Sequence, residues 1–373
     1  MTLPSDPSPI WSYTLPSDGL SGLAVAEGVV VVPCRDITDS RDVFTCVDAA
    51  TGQVRWKHQY PAPASFDYGN SPRATPVISD GKVWTHGAAG HVHCLDLKSG
   101  APLWQKNIAA EFRTPRLEWG LTGSPLLVDG LLIVQPGGAV ANVVALNAGT
   151  GEVVWKSEPG LPGNSSFIAA TLGDRKQVIG YDDASLGGWD LETGKRLWGI
   201  VPKLKGDFNV ATPLLVANHL VAATEGNATR TYAIGNDGLP FPTPTSTSDL
   251  LAPDSSTPVA IGSRLYGLTD GLFCLDVADG LNQIWTLEDD ALAGYGSIIA
   301  CPQSNRLLVL TLTARLLLIE DTGIAGRILG RLALGDADAE THSHPAIVGD
   351  VLFVRVGQKL TAYRLSDQSN PAG

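Results

Sequence analysis

One motif recurs along the chain: an apolar strand, then Asp or Asn, a Thr-Gly or Ser-Gly turn, and Trp four residues after the Gly. It reads VDAATGQVRW at Val47–Trp56, LDLKSGAPLW at Leu95–Trp104, LNAGTGEVVW at Leu146–Trp155 and WDLETGKRLW at Trp189–Trp198. Weaker copies are AIGNDGLPF ending at Phe241, LDVADGLNQIW ending at Trp285 and IEDTGIAGRIL over Ile319–Leu329. From Trp56 onward these anchors fall 48, 51, 43, 43, 44 and about 44 residues apart. A fixed period of this size is that of a propeller blade of four strands.

A second hairpin precedes each motif. SPLLVDGLLIVQPGG (Ser124–Gly138) is two apolar runs across a Val-Asp-Gly turn. ATPVISDGKVWTHG (Ala74–Gly87), TPLLVANHLVAAT (Thr212–Thr224) and HPAIVGDVLFVRV (His344–Val356) read the same way. Two hairpins per period give four short strands, and no window shows a helical period. The expected fold is all-β, an eight-bladed propeller of four-stranded antiparallel blades in one domain over residues 1–373. Seven units end near 56, 104, 155, 198, 241, 285 and 329. The eighth, 341–365, has three strands, and residues 9–15 with Trp11 supply the fourth. Pairing the two ends leaves no open sheet edge in the ring.

Composition follows from the pattern: Gly 41 and Pro 25 serve the turns, and six of the nine Trp are blade anchors. A formal charge of -12 argues against a nucleic-acid surface, which needs clustered positive charge. No apolar run reaches the ~18 residues of a membrane span. Met1–Ile10 (MTLPSDPSPI) lacks the basic and apolar regions of a leader peptide. A cytoplasmic chain and a chain without its leader both fit. Nothing in the pattern demands an oligomer, so a monomer is expected.

The repeats resemble the pyrroloquinoline-quinone-like (PQQ-like) propeller superfamily, which includes quinoprotein alcohol dehydrogenases and BamB-like outer-membrane assembly propellers. PRATPVISDGKVWTHGAAGHVHCLDLKSGAPLW and EWGLTGSPLLVDGLLIVQPGG look most like the stand-alone bacterial members. The resemblance implies a periplasmic or otherwise extracytoplasmic location. It also raises a quinone cofactor with Ca²⁺. The alcohol dehydrogenases, however, carry a vicinal Cys pair, and the five cysteines here (Cys34, Cys46, Cys94, Cys274, Cys301) include no adjacent two. No resident cofactor is therefore expected. Cys46, Cys94 and Cys274 recur at one repeat position (TCVD, HCLD, FCLD) and read as small buried hydrophobes.

Loop lengths point to one face. The A–B and C–D turns are tight. The B–C loops (33–41, 86–91, 135–141, 180–188) and the connectors between blades (57–71, 105–121, 242–256, 330–342) are long and share the other face. Functional residues concentrate on loops held by a rigid scaffold. Candidates at the channel mouth on that face are Asn70, Arg73, Glu118, Trp119, Asn164, Asp207, Asn209, Asp254, Tyr295, His342 and His344. Such a funnel suits a polar, sugar-like ligand or a protein: Trp119 or Tyr295 would stack on a ring, while amides and carboxylates would bond hydroxyls. A binding or scaffold role is the first reading.

The alternative reading is a quinone-dependent alcohol or sugar oxidoreductase with Glu118 or Asp254 as base. A lyase or hydrolase using His342 and Tyr295 is a weaker variant. Alternating pairs His342/His344 and His91/His93 each put two imidazoles on one side of a strand. The first pair with Glu118 and Asp254 forms a weak metal candidate, and no metal is expected.

Overall fold

The computed structural model describes residues 3–4, 8–336 and 338–365. These form eight separate four-stranded antiparallel sheets. Blades 1 to 7 take their strands consecutively, over residues 24–61, 77–107, 126–156, 168–200, 214–248, 259–287 and 296–333. Blade 8 consists of Ala346–Val348, Val351–Val356 and Lys359–Arg364, completed by Pro9–Thr14 from the other end of the chain. Trp11 pairs with Ala362, and one core cluster joins Trp11, Phe353 and Leu360 of blade 8 to Val30, Val32 and Val43 of blade 1. The inner strands of neighbouring blades touch and ring the axis. They are mostly half-buried aliphatic, so the channel has apolar walls.

The repeat motif is an interlock between blades. In blade 1, Cys46 pairs with Trp56 just ahead of a β-bulge, and Cys94 with Trp104, Ala145 with Trp155 and Cys274 with Trp285 occupy the same register. Each indole reaches the next blade. Trp11 Nε1 donates to Ala49 O at 2.9 Å, Trp56 to Leu97 O at 2.7 Å, Trp104 to Ala148 O at 2.9 Å and Trp155 to Leu191 O at 2.8 Å. Each ring lies against the turn glycine of that next blade. A Cβ on Gly52, Gly100, Gly151 or Gly194 would sit 2.6, 2.6, 2.7 or 2.3 Å from the neighbouring Trp, and all four have φ between +70° and +74°. Glycine is required there twice over. The motif's Asp or Asn closes the turn: Asp96 Oδ1 accepts from Ser99 N and Oγ at 2.8 and 2.6 Å, and Asp190 Oδ1 from Thr193 N and Oγ1 at 2.8 and 2.7 Å.

Two of the weak copies differ from the sequence expectation. Phe241 is 56% exposed and holds no anchor. The turn at Gly235–Leu239 closes on itself, and Pro240, Pro242 and Pro244 cannot donate to a ladder. Pairing with Thr229–Thr231 resumes only at Ser246–Ser248. Trp198 therefore reaches the next blade indirectly: it donates to Gln177 Oε1 of its own blade at 2.8 Å, and Gln177 Nε2 donates to Gly238 O of the blade 5 turn at 3.0 Å. In blade 7 the longer hairpin shifts the register, so Leu318 pairs with Gly330 rather than Leu329. Leu3 packs over Gly330, 3.1 Å from where a Cβ would stand. Among the described residues a short α-helix, Ile108–Phe112, occurs in the connector between blades 2 and 3, and 3-10 turns occur at Asp290–Leu292 and Pro302–Ser304.

Candidate functional site

The channel mouth is built from the residues entering each inner strand. Gly22, Thr75, Ser124, Ser166, Thr212, Thr257, Ser297 and His344 occupy corresponding places, one before the Pro or apolar residue that leads into the inner strand, Ser297 being already within it. Hydroxyls lace adjacent blades there. Thr75 N donates to Ser124 Oγ at 2.9 Å, Ser124 N to Ser166 Oγ at 3.0 Å and Thr212 N to Thr257 Oγ1 at 3.1 Å. Two residues earlier comes the rim: Leu20, Arg73, Thr122, Asn164, Val210, Ser255, Tyr295 and His342. Four sequence candidates thus fall on one ring.

The structure brings Tyr295, His342 and His344 together at the meeting of blades 7 and 8. Tyr295 OH donates to His342 O at 2.8 Å, and its ring centroid lies 5.3 Å from that of His342 and 6.5 Å from that of His344. Burial raises the pKa of Tyr295. His344 keeps solvent contact while protein surrounds it on most sides, and that crowding lowers its pKa.

A second group spans blades 3 to 5. Thr122 Oγ1 donates to Asn164 O at 3.0 Å, and Asn164 Nδ2 donates to Phe208 O at 3.0 Å. Trp119 stands edge-on to Phe208 with centroids 5.4 Å apart. Asn209 is buried, adopts φ +50° and donates to Asp182 O at 3.3 Å. Asp207 braces the same loop, accepting from Gly226 N at 3.2 Å and Asn227 Nδ2 at 2.7 Å. Burial would raise its pKa, but the Thr224 hydroxyl together with these bonds outweighs that and holds it low.

Other candidates serve their own loops. Arg73 donates to the carbonyls of Ser71, Asp67 and Gly69 at 2.6, 2.7 and 2.9 Å and lies over Phe66. Burial lowers its pKa to about 10. Asn70 bonds Asp39 Oδ2 at 2.6 Å. Glu118 and Asp254 are exposed on different connectors. The second His pair faces blade 1, away from the axis. His93 Nδ1 meets His58 Nε2 at 2.6 Å, and the Tyr60 ring lies 4.9 and 4.3 Å from His91 and His93. Sequence reasoning missed His58 and Phe208. Aligning the repeats on the inner strand rather than on Trp would have singled out the rim.

The carboxylates nominated to sit beside a quinone with Ca²⁺, Glu118 and Asp254, face solvent on different connectors, and the structure does not bring them together. Arg73 is already committed to three carbonyls.

Comparison with known proteins agrees with this architecture. A sequence family described as outer membrane protein assembly factor BamB matches residues 4–120 and 40–287. BamB of Shewanella oneidensis is 27% identical over 241 residues, covering 57% of this chain and 56% of that protein. The quinohemoprotein alcohol dehydrogenase ADH-IIG of Pseudomonas putida is 27% identical over 177 residues, covering 43% of this chain and 23% of the enzyme. The chain thus spans about half the length of one relative and a quarter of the other. BamB of Moraxella catarrhalis superposes with TM-score 0.67 at 16% identity, over 98% of this chain and 100% of that one. Quinohemoprotein alcohol dehydrogenase of Comamonas testosteroni gives TM-score 0.67 at 15% identity, over 99% and 78%. At such identities the superpositions speak for the fold alone. With the profile matching well over half its residues, the chain belongs to the BamB family of PQQ-like β-propellers.

Proposed function

We propose that this propeller is an extracytoplasmic scaffold whose long-loop face docks a protein in outer-membrane protein assembly. The observation that carries the reading is where large apolar side chains meet water. Ile37 is 90% exposed, Tyr68 75%, Val201 60%, Leu204 54% and Phe208 47%, all on B–C loops or blade connectors of that face. Leu161 and Leu250 join them. These are seven of the sixteen exposed large apolar side chains among the described residues, the other nine being dispersed over strands and the opposite turns. Apolar side chains on loops around a mouth and rimmed by polar groups suit a protein contact. Phe208 packs edge-on against Trp119, and Trp119 with Tyr295, His342 and His344 would receive a polar group of the partner or a sugar-like ligand. The family's name supplies the kind of partner.

The test replaces Tyr68 and Phe208 with Ser and, separately, Ile324 with Ser on the opposite face, where it is 85% exposed. Co-purification with the outer-membrane assembly complex of the source organism is then measured. Central aromatic contacts are typically worth ~2 kcal/mol or more, so the double variant should lose the complex at least about tenfold. Retention by the double variant, or loss through Ile324→Ser instead, would overturn the reading.

A further inference from the structure

The seam where the ring closes holds a buried charge that the docking face does not use. Arg355, on the strand Val351–Val356, is 1% exposed. Its Nη1 donates across the seam to Pro33 O at 2.5 Å. Neither its Nε nor its Nη2 meets an acceptor among the described residues. Those two nitrogens form one edge of the guanidinium, the edge whose parallel N–H bonds match the two oxygens of a carboxylate. A cationic donor taken out of water needs acceptors, and this edge has none.

What covers the edge is a strap, residues 15–23, without regular secondary structure, running from the closing strand to the first inner strand. Gly19 lies directly on the guanidinium: a Cβ there would fall 1.8 Å from Nη2. The strap is tied by Leu15 N to Gln358 O at 2.8 Å, Arg35 N to Ser17 Oγ at 2.9 Å and Ser343 Oγ to Ser21 O at 2.6 Å. Cys34, beside Arg355, is a buried thiol whose pKa burial pushes up to about 11, so it supplies no charge at neutral pH. The carboxylate whose charge acts on Arg355 is Asp18, on the strap and facing solvent. Arg355 is also one of a layer. His86, Gln135 and Tyr181 hold the corresponding place on their blades, two residues past the partner of the first paired inner-strand residue. His86 Nε2 likewise lacks a partner among the described residues, while Tyr181 OH has the Arg230 guanidinium beside it. The same place is apolar on blades 1, 5 and 6, at Pro33, Ala223 and Leu268, so the polar residues occupy blades 2 to 4, with Arg355 across blade 1 from them.

We infer that Arg355 anchors a binding site for a small carboxylate anion, which takes the Nε–Nη2 edge when the strap lifts at Gly19. The inference stands apart from the docking proposal, since the residues involved lie beneath the loop surface.

The experiment is nitrogen-15 NMR of the arginine Nε–Hε groups in the whole chain, titrated with acetate against chloride at equal ionic strength. Assignment comes from Arg355→Lys or, should that variant fail to fold, from nuclear Overhauser contacts to Gly19 and Cys34. The expected result is a saturable shift of the Arg355 signal with acetate and none with chloride. Asp18→Asn should preserve or tighten that response by removing a competing carboxylate. No shift with acetate would overturn the site. So would an Arg355 signal that Asp18→Asn alone displaces while acetate leaves wild type unchanged, because Asp18 would then be the partner.

Discussion

The interlock between blades can be isolated with two glycines of the same blade. Gly81 and Gly100 have φ +70° and +72°, so alanine pays the same left-handed cost at each, about 1–2 kcal/mol. Around Gly81 nothing lies within 4 Å of a Cβ, whereas at Gly100 the Trp56 ring atoms lie 2.6 to 2.8 Å away. Gly100→Ala must therefore displace Trp56. It loses the 2.7 Å indole bond to Leu97 O, worth about 1 kcal/mol, and uncovers part of a ring that is 7% exposed, about another 1 kcal/mol. Urea unfolding followed by far-UV circular dichroism should show Gly100→Ala costing about 2 kcal/mol more than Gly81→Ala. In a Trp56→Ala background that excess should vanish, since the clashing ring is gone. Equal costs for the two glycines in the wild-type background would refute the interlock and leave only backbone conformation.

Two further predictions concern pH and buried charge. His93 and His86 are pushed down by burial, to about 3 and about 4, and His58 and His91 are lowered as well. The unfolded chain binds these protons first, so stability is full above about 6.5 and falls as pH drops toward 4. His93→Gln should flatten that part of a stability-versus-pH curve, and an unchanged slope would remove the cluster as its cause. Asp321 is buried and accepts from Tyr266 OH at 2.6 Å, Trp285 Nε1 at 3.0 Å and Gly323 N at 2.8 Å, with Arg264 ion-paired to it. Asp321→Ala should cost about 3–5 kcal/mol in thermal unfolding, while a cost below about 1 kcal/mol would contradict its place as blade 7's substitute for the backbone acceptor of other blades.

The propeller was legible because its spacing obeys one local rule: a Trp, a turn glycine and an Asx cap recur wherever neighbouring blades must interlock. The rule failed where chemistry broke it. Alternating prolines after Pro240 displaced a strand, and a longer hairpin moved the anchor position to Gly330. At the mouth, residue types alone proposed Tyr295, His342 and His344, and the fold sets them in contact. Arg73 carried the same signal, yet its guanidinium is spent on its own loop. Spacing cannot foresee which carbonyl a flexible side chain will find. Nor could it show Phe208, whose pairing with Trp119 depends on how two connectors fold across three blades.

The central claim is that one face docks a protein, and site-specific photocross-linking in cells tests it most directly. A photoreactive residue placed at Phe208 or Tyr68 should join the chain to a component of the outer-membrane assembly complex, and the same residue at Ile324 should not. Cross-links of equal yield from both faces, or from Ile324 alone, would contradict the account.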